Sequence, residues 1–354
     1  MGFGKAKLQT FMRRDVRRQA MAGGLQLSAA MAVAGLMPQA RGLGAIFTLH
    51  HVRPHDRRAF EPNRHLEVTP DFLSSAIEQL RSDGYEFVRL SDIPRLLAEP
   101  AGRPFAAFTL DDAYRNNAEH ALPVFAAHDV PFTIFVAQGF AERTHTLWWE
   151  TLTDILGRER EIRFDFGAGE ESVPLTSVHQ KLAAFERFVP LVMTGKDEAG
   201  AISRIDALAR LHGIDPLAIT ADLTMSPDEL KALFDHPLVD YGAHTVSHRA
   251  ISRLSPEEAR YEMQQSADYL QALTGERPVS IAYPYGTAQA ICERDQAAAR
   301  ELGLTVGVTT RPGTLHAVDL NRLTALPRIS LNGYFQRARY VSALASGIPF
   351  RLGR

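Results

Sequence analysis

Short apolar segments with strand character alternate with segments of helical period along most of the chain. This alternation constrains the fold more than any other feature of the sequence. The strand-like segments include AIFTLHHV (45–52), PFTIFVA (131–137), LVDYGAHT, PVSIAYPYG and LTVGVTTRPG. Helical patterns separate them, and one of these opens with a capping box from Ser255 to Glu258. Strands that alternate with helices favour a parallel sheet, and seven or eight such units favour an α/β barrel.

The predicted barrel domain covers residues 44–335 and is interrupted once. The segment at about 148–224 breaks the rhythm and is mostly helical, so we interpret it as an insertion that covers one face. Residues 1–43 form a separate N-terminal segment, and residues 336–354 are predicted to be a C-terminal tail. One barrel of roughly 250 residues with an insertion accounts for a chain of this length.

Composition excludes several classes of protein. Basic and acidic residues number 39 and 41, giving a net charge of -2, so the sequence predicts no nucleic-acid partner. Cys292 is the only cysteine, which rules out an intrachain disulfide and a thiolate-rich metal site.

The N-terminal segment is basic (KAKLQTFMRRDVRRQ) and then mildly apolar (AMAGGLQLSAAMAVAGLM). It can be a helix lying on the domain, a basic amphipathic helix on a membrane surface, or a cleaved signal. Asp15, Gln26 and Ser28 interrupt the signal pattern, and PQAR is a poor cleavage site. We therefore expect a cytoplasmic protein, with a periplasmic or secreted location and peripheral membrane contact as alternatives. The sequence contains no run of about 18 strongly apolar residues, so it predicts no membrane-spanning helix.

Polar residues fall where the predicted strands end. The four stretches are His50–His51, Asp111–Asp112, His244–His248 and Tyr283–Gly286. Because the carboxyl ends of barrel strands form the active face, these stretches should converge on one pocket.

Two adjacent aspartates are an unusual end for a buried strand, and two histidines suggest a use for them. His244 and His248 are four residues apart, which on a helical turn places both imidazoles on one face, where they can share a divalent metal. One aspartate could add a third ligand and leave a position for water, whose proton its neighbour could take. The alternative is a solvated turn or a helix N-cap, which aspartate also favours.

Three motifs in this order resemble those of NodB-type polysaccharide deacetylases. FTLDDAYRNN is similar to Thr-Phe-Asp-Asp-Gly, HTVSH to His-Ser/Thr-x-x-His and AYPYG to Arg-Pro-Pro-Tyr-Gly. The resemblance covers residues 45–330 or so. It implies a distorted (β/α)7 barrel and the metal-dependent removal of N-acetyl groups from an amino-sugar glycan, such as a chitooligosaccharide.

The resemblance also implies roles for individual residues. Asp111 would be the general base, and the metal ligands would be Asp112, His244 and His248. The metal is commonly zinc, and such a site also accepts cobalt, nickel or manganese. The third motif contributes Pro284 and Tyr285 to substrate and oxyanion binding, the latter through its backbone N–H. Thr109 would support the aspartate pair.

The chain departs from the family pattern at several places. Ala113 replaces a glycine, and Ala282 stands where an arginine orients the base, so we consider Arg311 in TTRPG as its replacement. Some poly-N-acetylglucosamine deacetylases carry the acid histidine on the first strand, which favours His50 here. His51 is the alternative, because neighbouring side chains of a strand point to opposite faces.

Other residues and functions stay open. Trp148 and Trp149 could stack on sugar rings or pack the insertion, and Arg328 in LPRISLNG is expected to form a barrel ion pair. One alternative function is a non-catalytic glycan-binding protein, which the lost arginine favours. Another is a deformylase or deacetylase of a lipid-linked amino sugar, which the basic N-terminal segment would suit.

Overall fold

The computed structural model describes residues 3–100 and 102–352, with side chains from residue 16 onward. Seven parallel strands form a closed barrel, which confirms the predicted (β/α)7 fold. The strands are β1 (Gly44–Leu49), β2 (Phe105–Leu110), β3 (Phe132–Val136), β4 (Val239–Ala243), β5 (Ser280–Ala282), β6 (Val306–Pro312) and β7 (Leu326–Ser330). Each strand pairs with its neighbours in sequence, and β1 closes the barrel by pairing with both β2 and β7.

Helices within the described residues are numbered in chain order. They are α1 (Phe3–Val33), α2 (Pro70–Ser82), α3 (Ile93–Ala98), α4 (Leu122–His128), α5 (Gln138–Ala141), α6 (Trp148–Arg158), α7 (Val178–Met193), α8 (Glu198–Leu211), α9 (Pro216–Leu223), α10 (Pro227–Phe234), α11 (Pro256–Thr274), α12 (Glu293–Glu301), α13 (Ala338–Ala345) and α14 (Ile348–Leu352). Two pairs of short strands lie outside the barrel, His51–Val52 with Glu67–Val68 and Glu161–Asp165 with Glu170–Pro174. Glu86–Phe87 extends the sheet beside β2.

The first three barrel strands are buried along their whole length. Such continuous apolar runs are typical of parallel strands that are covered on both faces. Strands β1 and β2 pair residue by residue and end side by side at Leu49 and Leu110. The next residues, His50 and Asp111, therefore leave the barrel at the same rim.

The segment between β3 and β4 holds helices α6 to α9 and the antiparallel pair, at the place where we predicted an insertion. It has its own aromatic core, which includes Trp149, Phe164 and Phe188. Tyr114, which follows the aspartate pair, is fully buried in that core. The insertion is therefore anchored to the carboxyl end of the barrel.

Helix α1 lies against α13, where Leu25 packs with Tyr340 and Ala343. The α13 residues Val341 and Ala345 belong to the main barrel core. The prediction of a C-terminal tail from residue 336 is wrong for residues 338–352, because these helices supply apolar side chains to the core. In the part of the chain that the structure describes, no helix is long and apolar enough to cross a bilayer.

Candidate active site

Asp112, His244 and His248 form a buried cluster at the carboxyl ends of β2 and β4. One ligand atom from each lies within 4.8 Å of the others. The Nε2 atoms of the two histidines face the same carboxylate oxygen, Asp112 Oδ1, at 3.5 and 3.3 Å. That oxygen makes no hydrogen bond within the described residues. A buried carboxylate oxygen facing two imidazole nitrogens fits a divalent cation with three protein ligands.

The tautomer of His244 suits this interpretation. Its Nδ1 lies 2.7 Å from the Ala282 carbonyl oxygen, to which it donates a hydrogen bond. Nδ1 therefore carries a proton, and Nε2 is the ring nitrogen that faces Asp112. Backbone acceptors of this kind commonly orient metal-binding imidazoles.

The HTVSH segment is a loop, so our prediction of a helical turn there is wrong. Thr245 and His248 have positive φ angles of 64° and 53°. The buried carboxylate of Glu262 on α11 accepts hydrogen bonds from the Val246 and Ser247 N–H groups, both at 2.8 Å. The imidazoles converge because the loop is held in this shape. The sequence did not single out Glu262, which is one of several glutamates in a helical pattern.

Asp111 is held by a bidentate ion pair with Arg328. Two nitrogens of the guanidinium lie 2.7 Å from the two carboxylate oxygens. Arg328 is fully buried on β7 and also donates to Thr109 Oγ1 at 3.1 Å. Such pairs fix the orientation of a carboxylate as well as its charge. Arg328 thus supports Asp111 although Ala282 occupies the motif position of the arginine.

The prediction that Arg311 provides this support is wrong. Arg311 is half-exposed, and its Nη2 contacts the Ala325 carbonyl at 3.3 Å and lies 4.0 Å from Asp319. Arg328 was predicted only as an ion-pair residue of the barrel. An arginine inside a buried strand needs a charged partner, but the sequence does not identify Asp111 as that partner.

The charges of the site keep both aspartates ionised. Burial alone would raise the pKa of Asp111, but the Arg328 guanidinium outweighs it and lowers the pKa. Burial also opposes ionisation of Asp112. The contacts with His244 and His248 outweigh burial and lower the pKa of Asp112 below its usual range. Burial lowers the pKa of His248 to about 3. Ionised carboxylates and a neutral imidazole are the forms that bind metals.

The two histidines after β1 lie in different surroundings. His50 lines the same cavity as the aspartates, and burial lowers its pKa. The His51 ring stacks on Tyr114 with 3.6 Å between ring centroids. Its Nδ1 lies 2.8 Å from the Asn116 amide nitrogen, and its Nε2 lies 3.6 Å from Glu150. Of the two, only His50 is placed to contact a substrate.

The third motif forms a turn against the metal cluster. The Tyr285 ring lies 5.1 Å from the His248 ring, and its hydroxyl accepts a hydrogen bond from Trp148 Nε1 at 3.2 Å. Pro284 lies in the turn, where its carbonyl accepts from the Gly286 N–H at 2.7 Å. Trp148 therefore both packs the insertion and lines the cavity.

Several non-glycine residues of the site have positive φ angles, among them Asp112 at 70°, Ala113 at 52° and Tyr285 at 60°. This region costs a residue with a side chain roughly 1–2 kcal/mol. Such strain persists only where surrounding contacts impose it, and it is common at functional sites. The glycine of the resembling motif corresponds to Ala113, where the backbone favours glycine.

A cavity of about 380 Å³ joins these groups. It is lined by Thr48, His50, Asn63, His65, Leu66, Asp111, Asp112, Trp148, Trp149, Phe185, Val189, Met193, His244, His248, Tyr283, Tyr285, Thr310, Arg328 and Ser330. Its volume falls in the range of sites for small ligands. The residues of the metal cluster and residues from α6 and α7 of the insertion therefore line the same cavity.

A family model described as polysaccharide deacetylase matches residues 98–167 and 205–307. The chain is similar in structure to the Streptococcus pyogenes deacetylase PplD in complex with acetate, with 19% identity, 82% of this chain and 92% of that chain covered, and a TM-score of 0.53. IcaB from Ammonifex degensii is 16% identical, with 85% of this chain and 97% of that chain covered and a TM-score of 0.52. A polysaccharide deacetylase from Bacillus cereus is 14% identical, with 84% of this chain and 68% of that chain covered and a TM-score of 0.50. No curated protein sequence matches the chain.

Replacing Arg328 with Met should leave Asp111 buried without its counter-charge. In the wild type the lowered pKa of Asp111 contributes stability above the unfolded value of about 3.9, and this stability is lost as the pH falls through the folded value. In Arg328→Met, burial should raise the pKa of Asp111. The free energy of unfolding of the variant should therefore become increasingly lower than that of the wild type as the pH rises from about 4 to 7. We expect a loss of about 3 kcal/mol at pH 7.

Urea unfolding of the metal-free proteins between pH 4 and 7 measures this difference. Arg311→Met is the matched control and should follow the wild type at every pH. A constant difference between Arg328→Met and the wild type would contradict the assigned role of the ion pair.

Proposed function

Because the chain belongs to the polysaccharide deacetylase family, we propose that it is a metal-dependent hydrolase that removes N-acetyl groups from the amino sugars of a glycan or oligosaccharide. The observation that carries this proposal is the buried cluster of Asp112, His244 and His248 beside the arginine-held Asp111. Both groups face one cavity of a size that accepts a sugar unit.

The cluster would hold the metal through Asp112 Oδ1 and the Nε2 atoms of His244 and His248. The unpartnered oxygen and the orientation of His244 support this assignment. A divalent cation there would polarise the amide carbonyl and lower the pKa of a water molecule. We propose zinc, and the same ligands also suit cobalt, nickel and manganese.

Asp111 is the proposed general base. It is ionised, and Arg328 fixes the direction of its carboxylate, so it can take a proton from the attacking water. This support also weakens the alternative of a non-catalytic glycan-binding protein. The missing third-motif arginine favoured that alternative, but Arg328 now fills the role.

The remaining steps fall to Tyr285 and His50. The Tyr285 backbone N–H would donate a hydrogen bond to the oxyanion that develops when water adds to the amide carbon. His50 would deliver a proton to the nitrogen as the C–N bond breaks, which gives acetate and a free amino sugar. His50 suits this step because it lines the cavity beside both aspartates.

Removal of metal should abolish acetate release from N-acetylglucosamine oligomers, and added zinc or cobalt should restore it. Asp112→Ala should lose both bound metal and turnover, because it removes a ligand. Asp111→Asn should keep the metal but lower kcat by about 10²–10⁴-fold, since it removes the base. Acetate release and metal content are measured on the same samples, and undiminished turnover in Asp111→Asn would refute the mechanism.

The two histidines after β1 give a matched pair for testing the acid. His50→Gln should bind metal normally and lower kcat by about 10²-fold or more. His51→Gln should retain most of the turnover but unfold at lower temperature, because His51 contacts Asn116 and Tyr114 in the interior. A large loss of kcat in folded His51→Gln, with none in His50→Gln, would reverse the assignment.

We also propose that the N-terminal segment contacts an anionic membrane surface. The domain-facing side of α1 includes Leu25, whereas Val16, Met21 and Leu27 are exposed. The sequence before them contains Lys5, Lys7, Arg13 and Arg14. Basic residues at a membrane surface contribute about 1 kcal/mol each.

Vesicle sedimentation tests this contact. We expect binding to vesicles with phosphatidylserine, weaker binding at high salt, and none to purely zwitterionic vesicles. Changing Lys5, Lys7, Arg13 and Arg14 together to Gln should weaken binding about tenfold or more. Equal binding to both kinds of vesicle would contradict an electrostatic contact.

A further inference from the structure

One group of side chains that line the cavity is apolar, and we call this group the apolar wall. It consists of Leu66, Trp148, Trp149, Phe185, Val189 and Met193. Most of it comes from α6 and α7 of the insertion. The match to the family model leaves out residues 168–204, which include α7. The part of the wall on α7, which is Phe185, Val189 and Met193, therefore lies in a segment that the family model does not match.

The outer part of the wall is a stripe along one helix. Phe185, Val189 and Met193 follow one another at intervals of four residues, so they lie on one face of α7. At a rise of about 1.5 Å per residue the stripe is about 12 Å long. Val189 and Met193 are half-buried, so part of each side chain remains accessible.

The wall offers no polar side-chain group to a ligand. The indole N–H of Trp148 already donates to the Tyr285 hydroxyl at 3.2 Å. The indole N–H of Trp149 donates to the Tyr114 hydroxyl at 3.0 Å. The other wall side chains are hydrocarbon or thioether. A sugar hydroxyl pressed against this surface would give up hydrogen bonds to water without replacement, which is unfavourable.

We propose that the stripe binds an aliphatic chain joined to the amino sugar through its glycosidic end, so that the substrate is a glycolipid. This inference rests on the proposed deacetylase function and deepens it. The reacting amide lies at the metal cluster, and the chain lies along α7. Burial of hydrocarbon against hydrocarbon supplies the binding energy.

The position of α1 supports a lipid-linked substrate over a long acyl group on the amide. The Arg18 guanidinium lies 3.9 Å from the centre of the Tyr334 ring. Burial, with smaller effects that include the charge of Arg18, lowers the pKa of His65, which lines the cavity. Arg18 of the basic helix therefore contacts the segment that follows Ser330, which lines the cavity, and cations of this helix would meet the polar headgroups around a membrane glycolipid.

The test uses N-acetylglucosamine glycosides with methyl, butyl and octyl aglycones, below their micelle concentrations, and the zinc-loaded full chain. Acetate release gives kcat/KM. We expect a rise of about twofold per methylene, or about 100-fold from methyl to octyl, since the stripe is only half-buried. A parallel series of N-acylglucosamines with acetyl, butanoyl and octanoyl groups, followed by release of the free amino sugar, should show no such rise.

Val189→Asn places an amide in the stripe and should abolish the dependence of kcat/KM on chain length. Val178→Asn is the matched control, because it makes the same substitution on the same helix at an exposed position outside the cavity. It should behave as the wild type. Val189→Leu should keep the dependence on chain length.

Equal kcat/KM for the three glycosides would overturn the inference, as would a rise confined to the N-acyl series. The same holds if kcat/KM increases with the number of sugar units and not with alkyl length, since the wall would then accommodate sugar rings. These results all require hydrolysis of the amide. No release from any substrate by the metal-loaded chain would instead contradict the proposed function itself.

Discussion

The ion pair between Asp111 and Arg328 is the interaction on which the rest of the site depends. Two carboxylates that are adjacent in sequence are buried among imidazoles, and Arg328 is the cation that offsets the charge of Asp111. Burying such a pair costs solvation energy that its attraction only partly returns. The pair instead fixes the orientation of the Asp111 carboxylate through its bidentate contact, while Asp112 remains available to the histidines.

The fold and the three motifs could be predicted because their signals are local. Apolar runs mark the strands, and the aspartate pair and HTVSH are contiguous. The partner of Asp111 could not be predicted, because Arg328 is 217 residues away in sequence and only the closure of the barrel brings them together. The loop shape of HTVSH was missed for a similar reason, since Glu262 imposes it from another helix.

The insertion shows how a sequence can mark a segment without revealing its use. The break in strand and helix rhythm located it at about 148–224. Its apolar residues were consistent with an ordinary core, and many of them, such as Phe188, are core residues. Val189 is next to Phe188 in sequence yet lines the cavity. Val189 packs against this core as well, so one side chain serves both the core and the cavity.

The closure of the barrel by β1 and β7 has a consequence for synthesis of the protein. Arg328 lies 217 residues after Asp111 in the sequence, and β1 cannot complete its pairing before β7 exists. The nascent chain therefore carries Asp111 without its counter-charge until the intervening sequence has been synthesised. A ribosome-bound intermediate should hold an incompletely assembled centre, and activity should emerge only when the last strand leaves the exit tunnel. Pairing of elements so distant in sequence is slow, so this final step would also limit the rate of maturation.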